Sequence, residues 1–253
     1  MRKRIAAGNW KMNTLLNEGL EIANELNDYL IENEISGDKK VIIAVPFTHI
    51  NPIVNDVDYT KIAIGAQNCC QFDNGAYTGE ISALMLKSIG AQYVIIGHSE
   101  RRQYFGDTDE IIALKLLQCY KNALFPIFCC GESLQEREQD IHFNIVEDQI
   151  KSAFNQIDTF NIQRTIIAYE PVWAIGTGKT ATPQQAQEMH SFIRKIFSEL
   201  YNNEVANDIT ILYGGSVNAN NSAELFAQPD IDGGLVGGAS LKVKDFIHII
   251  NSL

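Results

Sequence analysis

A glutamate at the end of a short apolar run, followed at once by a glycine-containing segment, suggests acid–base chemistry. Residues 168–183 read AYEPVWAIGTGKTATP, and the run before Glu170 is typical of a buried strand. Pro171 keeps the backbone of Glu170 extended. The segment 173–179 combines apolar residues with glycines and is typical of a lid that closes over a site. Glu170 is therefore either a base that works under this lid or an ordinary carboxylate beside a connecting loop.

The same stretch contains a partial match to a nucleotide-binding motif. The letters GKT at 178–180 match the end of the P-loop pattern G-x-x-x-x-G-K-[ST]. The first glycine of that pattern would fall at Trp173, whose side chain would stop the backbone from wrapping around a phosphate. We therefore reject a P-loop, and we predict that a helix begins here instead. Thr182 is its expected N-cap, and Gln185 closes a capping box.

Polar side chains also follow other apolar runs. Asn9 and Lys11 come after the first run, and the position of Lys11 between Trp10 and Met12 favours an inward-facing ammonium over an ordinary surface lysine. His98 follows the fourth run and precedes a predicted helix. Because a helix N-terminus disfavours added positive charge, we expect His98 to stay neutral and to donate a hydrogen bond, although a buried structural histidine is the alternative.

Two Gly-Gly pairs follow the last two apolar runs, at 214–215 and 237–238. Without Cβ atoms, the backbone N–H groups of such turns can converge on an anion. Either pair alone is better explained as a tight turn. In neighbouring positions at the ends of two strands, however, they predict a phosphate site.

The elements that must position these residues are short strands alternating with helices. The strand-length runs lack strict alternation, as is typical of strands covered on both faces, and they lie at 5–7, 41–45, 62–64, 93–96, 124–129, 165–168, 209–213 and 234–236. Helical patterns lie between them, including Leu16 to Leu30 and Ala186 to Leu200. A further helix is expected to begin at Asp107 with Glu110 behind it, and its apolar positions include Ile111, Leu114 and Leu117.

These alternations predict a single (β/α)8 TIM-barrel domain over residues 1–253, because no Pro/Gly/Ser-rich linker divides the chain. A doubly wound open sheet is the alternative, since periodicity does not show closure. In a barrel, the residues that follow the strands all lie on the C-terminal face, where such folds place their chemistry.

Composition narrows the possible partners and the compartment. A net charge of −11 argues against nucleic acid or an anionic membrane, and no apolar run is long enough to form a signal-peptide core or to span a bilayer. The 5 cysteines show no C-x-x-C spacing, which predicts reduced thiols in a cytoplasmic protein and no metal site. We expect Cys69 and Cys70, in a loop, to be more accessible than Cys129 and Cys130, in a strand.

Several motifs together resemble the triosephosphate isomerase family, over essentially the whole chain and in the order and spacing of that family. They are GNWKMN (8–13), GHSERR (97–102), YEPVWAIGTGK (169–179), YGGSV (213–217) and VGGASL (236–241). The resemblance implies interconversion of dihydroxyacetone phosphate and D-glyceraldehyde 3-phosphate through an enediol(ate), in glycolysis and gluconeogenesis. It implies no metal or other cofactor, because no hydride or electron leaves the substrate.

The resemblance also implies residue roles. Glu170 is the base and His98 the electrophile, a pairing that is a long-established example of such chemistry in this family. Asn9 and Lys11 bind the substrate, and Lys11 is also counted as catalytic. The role of Glu100 is left open between holding Lys11 and moving a proton. Phosphate contacts are implied at Gly176, Ser216, Gly237 and Gly238.

The stretch 65–79 is a long connection with little helical period, which is unusual inside a compact barrel. The resemblance implies that it is the contact loop of a homodimer. In that arrangement Thr78 reaches the active site of the partner subunit, with Glu80 and Arg101 nearby.

Two other classes of protein remain open. One is a different phosphosugar barrel enzyme, such as an aldolase or a synthase. A Schiff-base aldolase needs a lysine at a central strand end, where this chain has Glu170. The other is a protein that binds triose phosphates without turnover, and the presence of both Glu170 and His98 argues against it.

Overall fold

A computed structural model, which describes residues 2–175 and 180–253, contains a closed barrel of parallel strands. The strands are β1 (Arg4–Asn9), β2 (Lys39–Ala44), β3 (Ile62–Ala66), β4 (Tyr93–Ile96), β5 (Phe125–Cys130), β6 (Ile166–Tyr169), β7 (Thr210–Tyr213) and β8 (Gly233–Val236). Each strand pairs with its neighbours in sequence, and β1 closes the barrel on β8 with Gly8 opposite Val236. This pairing confirms the predicted (β/α)8 barrel and excludes the open sheet, in which the first and last strands could not meet.

Helices surround the barrel. Among the described residues the α-helices are α1 (Leu16–Glu32), α2 (Phe47–Asp56), α3 (Ala83–Ser88), α4 (Ser99–Phe105), α5 (Asp109–Lys121), α6 (Leu134–Glu138), α7 (His142–Phe154), α8 (Thr159–Ile162), α9 (Pro183–Leu200), α10 (Asn203–Asp208), α11 (Ser222–Phe226) and α12 (Val243–Asn251). Short 3-10 helices lie at Val172–Ala174 and Gly238–Leu241. Thr182 caps α9 in a capping box with Gln185, as predicted. None of these helices is both long and apolar enough to cross a membrane.

The strands are buried on both faces, as their unbroken apolar runs predict. One cluster takes alternate residues such as Ile5, Ala7, Ile42 and Ala44, and it fills the barrel interior. The residues between them pack outward against the helices in a second, larger cluster. Two covered faces explain why the runs show no polar alternation.

The start of α5 differs from the prediction. Thr108, not Asp107, is the N-cap, and its hydroxyl accepts the N–H of Ile111. Asp107 is buried one position earlier, where its carboxylate accepts from Arg101 at 3.0 Å and from Lys115 at 2.7 Å. The predicted start was wrong because both residues are good N-caps and only the tertiary contacts of Asp107 distinguish them.

The apolar positions named for α5 are not the ones that pack on the barrel. Leu114 and Leu117 are 47% and 39% exposed, whereas Ile112 and Leu116 are fully buried. The segment IIALKLL carries apolar residues on more than one face of a helix, so spacing alone does not select the face that packs on the barrel.

The cysteines of the 65–79 connection do not have the expected exposure. Strand β3 extends to Ala66, and Cys69 and Cys70 are only 1% and 3% exposed, so they are buried almost as completely as Cys129 and Cys130 and the expected difference in accessibility is not seen. The Sγ atom of Cys69 lies 3.8 Å from that of Cys119 on α5. The base of the loop therefore packs inward, a contact between distant segments that loop length does not reveal.

Candidate active site

The C-terminal ends of the strands surround a cavity of about 350 Å³. Of the residues predicted for the site, the structure brings together at this cavity Asn9, Lys11, His98, Glu170, Ser216, Gly237 and Gly238. Gly176, also predicted, lies outside the described residues. Side chains from β1, the β4–α4 junction and β6 occupy one end, and the turns after β7 and β8 form the other.

Glu170 follows β6 and is only 1% exposed. Its Oε2 atom accepts the backbone N–H of Ser99 at 2.9 Å, and its Oε1 atom lies 3.0 Å from Nε2 of His98. Its own N–H donates to the carbonyl of Cys130 at 2.8 Å. A Cβ at Gly131 would lie 1.7 Å from the Glu170 carbonyl oxygen, so a glycine is required there. The carboxylate is thus held at a fixed place beside the ring of His98.

His98 is the N-cap of α4, and its Nδ1 atom accepts the N–H of Glu100 at 3.2 Å. A nitrogen that accepts a hydrogen bond carries no proton, so the proton of the ring is on Nε2. That Nε2–H points to Glu170. The arrangement fits the predicted neutral, hydrogen-bond-donating histidine.

Lys11 has a left-handed backbone, with φ at 55°, which a residue other than glycine adopts at a cost of about 1–3 kcal/mol. Asn9 Oδ1 accepts the Lys11 N–H at 3.0 Å, and Gln67 Nε2 donates to the Lys11 carbonyl at 2.8 Å. The ammonium is 2.5 Å from a carboxylate oxygen of Glu100. Glu100 therefore holds the lysine, which is one of the two roles that the sequence left open.

The opposite end of the cavity is built from backbone. A Cβ at Gly215 would lie 2.3 Å from the hydroxyl of Tyr213, so only glycine fits. A Cβ at Gly238 would meet no atom within 4 Å, so the space beside this residue is open. Ser216 uses its hydroxyl to donate to the carbonyl of Ala174 at 2.7 Å. The turns after β7 and β8 thus line this end of the cavity with backbone groups and with the hydroxyl of Ser216, which is already hydrogen-bonded to Ala174.

Sequence reasoning missed Glu132, which follows β5 and is 0% exposed. Its Oε1 atom accepts from the hydroxyl of Tyr169 at 3.0 Å, from Nε1 of Trp173 at 2.9 Å and from Arg137 at 2.9 Å. Glu132 thereby ties the first residue of the predicted lid segment to the end of β6. A signal was present, since Glu132 is a charged residue two positions after the end of β5, much as Glu170 follows β6.

The residues predicted for a subunit contact lie beside the site. Thr78 and Glu80 are exposed, and Arg101 is partly buried by its ion pair with Asp107 at 3.0 Å. Glu80 and Arg101 line a second cavity of about 470 Å³, which shares Lys11 with the first. This side of the site is therefore open in the isolated chain.

Known proteins resemble the whole chain. A family model described as triosephosphate isomerase matches residues 4–253. The chain is 54% identical over 252 residues to a protein named triosephosphate isomerase from Porphyromonas gingivalis, with 100% of each chain covered. It is 52% identical over 252 residues to one of the same name from Bacteroides fragilis, covering 100% of this chain and 99% of the other. A relative of that name from Flavobacterium psychrophilum is 50% identical over 253 residues, with both chains covered at 100%. The chain therefore belongs to the triosephosphate isomerase family.

Proposed function

We propose that Glu170, His98, Lys11 and Asn9 carry out the isomerisation of triose phosphates in this protein. The chain is an isomerase that interconverts dihydroxyacetone phosphate and D-glyceraldehyde 3-phosphate, the reaction of its family. The observation that carries the assignment is the placement of all four side chains at one cavity, with the Glu170 carboxylate 3.0 Å from His98 Nε2.

Glu170 removes a proton from the carbon beside the substrate carbonyl, which leaves negative charge on oxygen. His98 donates its Nε2–H to that oxygen, and Lys11 and Asn9 supply further donors. The protonated Glu170 then returns a proton to the former carbonyl carbon, while the hydroxyl proton of the first carbon passes to the other oxygen, so that the first carbon becomes the new carbonyl. Because Nε2–H of His98 is directed at Glu170 before substrate arrives, a substrate oxygen takes over this donor and frees the carboxylate to act as the base.

The substrate phosphate occupies the backbone end of the cavity. Ser216, Gly237 and Gly238 supply dipoles there, joined by Gly176, which is proposed from the family motif alone. The net charge of the chain is −11, so attraction of the phosphate is local and not a property of the whole surface.

We also propose that segment 173–179 covers the bound substrate. Exclusion of water would stop the enediolate from losing its phosphate. The bond from Trp173 Nε1 to Glu132 supports an anchored beginning for this segment. Residues 176–179 lie outside the described residues.

Proton transfer is tested by incubating the protein with D-glyceraldehyde 3-phosphate in heavy water. Dihydroxyacetone phosphate carrying deuterium is the expected product, because the base exchanges its proton with solvent during part of the turnovers. Absence of product would contradict an isomerase, and a Glu170→Gln variant that makes product at the wild-type rate would contradict the assigned base.

A homodimer completes the proposal. The loop after β3 presents Thr78, and exposed apolar side chains surround the neighbouring cavity, including Met12 at 97% and Phe105 at 67% exposed. Shortening the loop at 71–77 is expected to give a less stable monomer with little activity, because Lys11 loses its outer support. A fully active monomer in sedimentation experiments would contradict this.

The domain boundary and the compartment are proposed on separate grounds. The pairing of β1 with β8 supports one domain over residues 1–253, which predicts a single cooperative unfolding transition.

The cysteines are all free, which fits the reducing cytoplasm, and cell fractionation tests this location.

A further inference from the structure

A buried histidine that the reaction does not use lies behind the site. His190 belongs to α9 and is 0% exposed. Its ring contacts two tyrosine rings, that of Tyr169 edge-on at a centroid distance of 5.8 Å and that of Tyr213 at 6.4 Å. These are ordinary separations for interacting aromatic rings.

Both tyrosines are the last residues of their strands. Tyr169 ends β6 and directly precedes Glu170, and Tyr213 ends β7 and directly precedes the Gly214–Gly215 turn. The N–H of Gly214 donates to the carbonyl of Tyr169 at 2.7 Å, so the two strand ends are joined. A Cβ at Gly214 would lie 3.0 Å from Cγ of Glu170, which shows how closely this turn packs against the base.

The hydroxyl groups of the tyrosines bind segments outside α9. Tyr169 donates to Glu132 at 3.0 Å, and the hydroxyl of Tyr213 accepts the N–H of Ala181 at 3.3 Å. The two tyrosine rings also meet each other at a centroid distance of 6.5 Å, and His190 packs against both of them.

The ring of His190 is itself oriented by the backbone. Its Nδ1 atom lies 3.2 Å from the carbonyl of Asp230 and donates to it. Burial lowers the pKa of His190 to about 3, so the ring is neutral at working pH. The Nε2 atom has no hydrogen-bond partner among the described residues. His190 thus acts by shape and contact and not by proton transfer.

We propose that His190 is a positioning residue, which packs against Tyr169 and Tyr213 where their rings meet and thereby sets the distance between Glu170 and the Gly214–Gly215 turn. This proposal rests on the role of Glu170 as the base. The ring does not line the cavity, so its effect on the reaction passes through the two tyrosines.

The test compares variants that keep or remove the ring. His190→Phe keeps a planar ring in place, and the Asp230 carbonyl keeps a donor in Arg194 at 3.3 Å. His190→Ala and His190→Leu remove the ring, and Leu serves if the alanine variant does not fold. Phe197→Leu is the matched control, because Phe197 is buried two turns further along α9, where it meets Phe154 edge-on and stacks on Tyr201 instead.

We expect kcat to fall about tenfold in His190→Ala and His190→Leu, since a displacement of about 1 Å costs roughly a hundredfold and the strand ends are expected to shift by less. KM should rise by no more than about threefold, because the phosphate keeps its other contacts. His190→Phe should restore kcat to within about twofold of wild type. Phe197→Leu should lower Tm and leave kcat unchanged.

Wild-type kcat in the folded alanine or leucine variant would overturn the proposal. So would an equal loss of kcat in His190→Phe, or in Phe197→Leu. Failure of the underlying function is recognised separately, because it would appear as full activity in Glu170→Asp whatever the His190 variants do.

Discussion

The two ends of the active-site cavity are built from different parts of the chain. At the end formed by β1, β4 and β6, side chains of Lys11, His98 and Glu170 meet, and each is held by hydrogen bonds to its neighbours. At the end formed by β7 and β8, glycines at Gly215 and Gly238 bring the backbone itself to the surface of the cavity.

The difference follows from what each end must do. Proton transfer needs groups that can gain or lose a proton, which only side chains provide. A phosphate keeps its charge throughout the reaction, so fixed N–H dipoles suffice to hold it. Substitutions at the side-chain end should therefore lower kcat, whereas those at the backbone end should raise KM.

The largest expected effect is that of Glu170→Asp. The substitution keeps the charge but withdraws the carboxylate by about 1 Å, which lowers kcat on the order of a hundredfold with KM near wild type. Steady-state kinetics and thermal melting measure both. Glu199→Asp is the control, since Glu199 is an exposed partner of Lys195 on α9. Early melting with normal turnover would make Glu170 a structural residue.

A second prediction concerns His190, which lies behind the seam between the two ends. Its pKa is about 3 in the folded protein because of burial, below its ordinary value. As the pH falls below about 6.5, the unfolded chain takes up a proton that the folded chain refuses, so stability present at neutral pH is lost. Between pH 7 and pH 5 this loss is about 2 kcal/mol.

His190→Phe removes that titration. Urea unfolding at pH 7 and pH 5 should therefore show a smaller loss of stability in the variant than in wild type, by about 2 kcal/mol. Equal losses in the two proteins would contradict a buried, neutral His190.

The backbone end is tested by Gly238→Ala. A Cβ at Gly238 meets no atom within 4 Å, so the fold tolerates it, but the methyl group enters the space proposed for the phosphate. We expect KM to rise about tenfold, or about 1.4 kcal/mol, with kcat and Tm near wild type. Gly37→Ala is the control, because a Cβ there also meets nothing and Gly37 lies outside the cavity. An unchanged KM would place the phosphate elsewhere.

Ser216→Ala should have the smallest effect. The Ser216 hydroxyl donates to the carbonyl of Ala174, so its loss removes one hydrogen bond and leaves the backbone N–H groups in place. In the proposed complex the substrate phosphate takes over this hydroxyl, and one net hydrogen bond of about 1 kcal/mol corresponds to roughly a fivefold rise in KM. A loss of kcat as large as that of Glu170→Asp would contradict the claim that the backbone end of the cavity affects KM and not kcat.

Much of the fold and site could be predicted because the informative residues lie next to each other in sequence. Each strand is a short apolar run, and Glu170, His98 and the Gly214–Gly215 turn lie within two residues of a strand end. Parallel strands in a barrel end on one face, so local order along the chain becomes proximity in space. The family motifs made the same residues recognisable.

The errors and omissions concern contacts between distant segments. Asp107 lies before α5 because its carboxylate binds Arg101 and Lys115, and Cys69 is buried where its sulfur contacts that of Cys119. Glu132 and His190 both contact Tyr169, a ring side chain that comes from a different element of the chain. A single sequence shows which residues are apolar or charged, but it does not show which partner a buried group meets.

The pairing of β1 with β8 has a consequence for a chain that is still being made. Asn9 and Lys11 follow β1, and Gly237 and Gly238 follow β8, so early and late parts of the translated chain meet at one cavity. With the proposed phosphate contacts, residue 238 must leave the ribosome before a triose phosphate can be bound and turned over. The appearance of activity during synthesis would accordingly report barrel closure itself, and a partly made chain could not act on the metabolite pool.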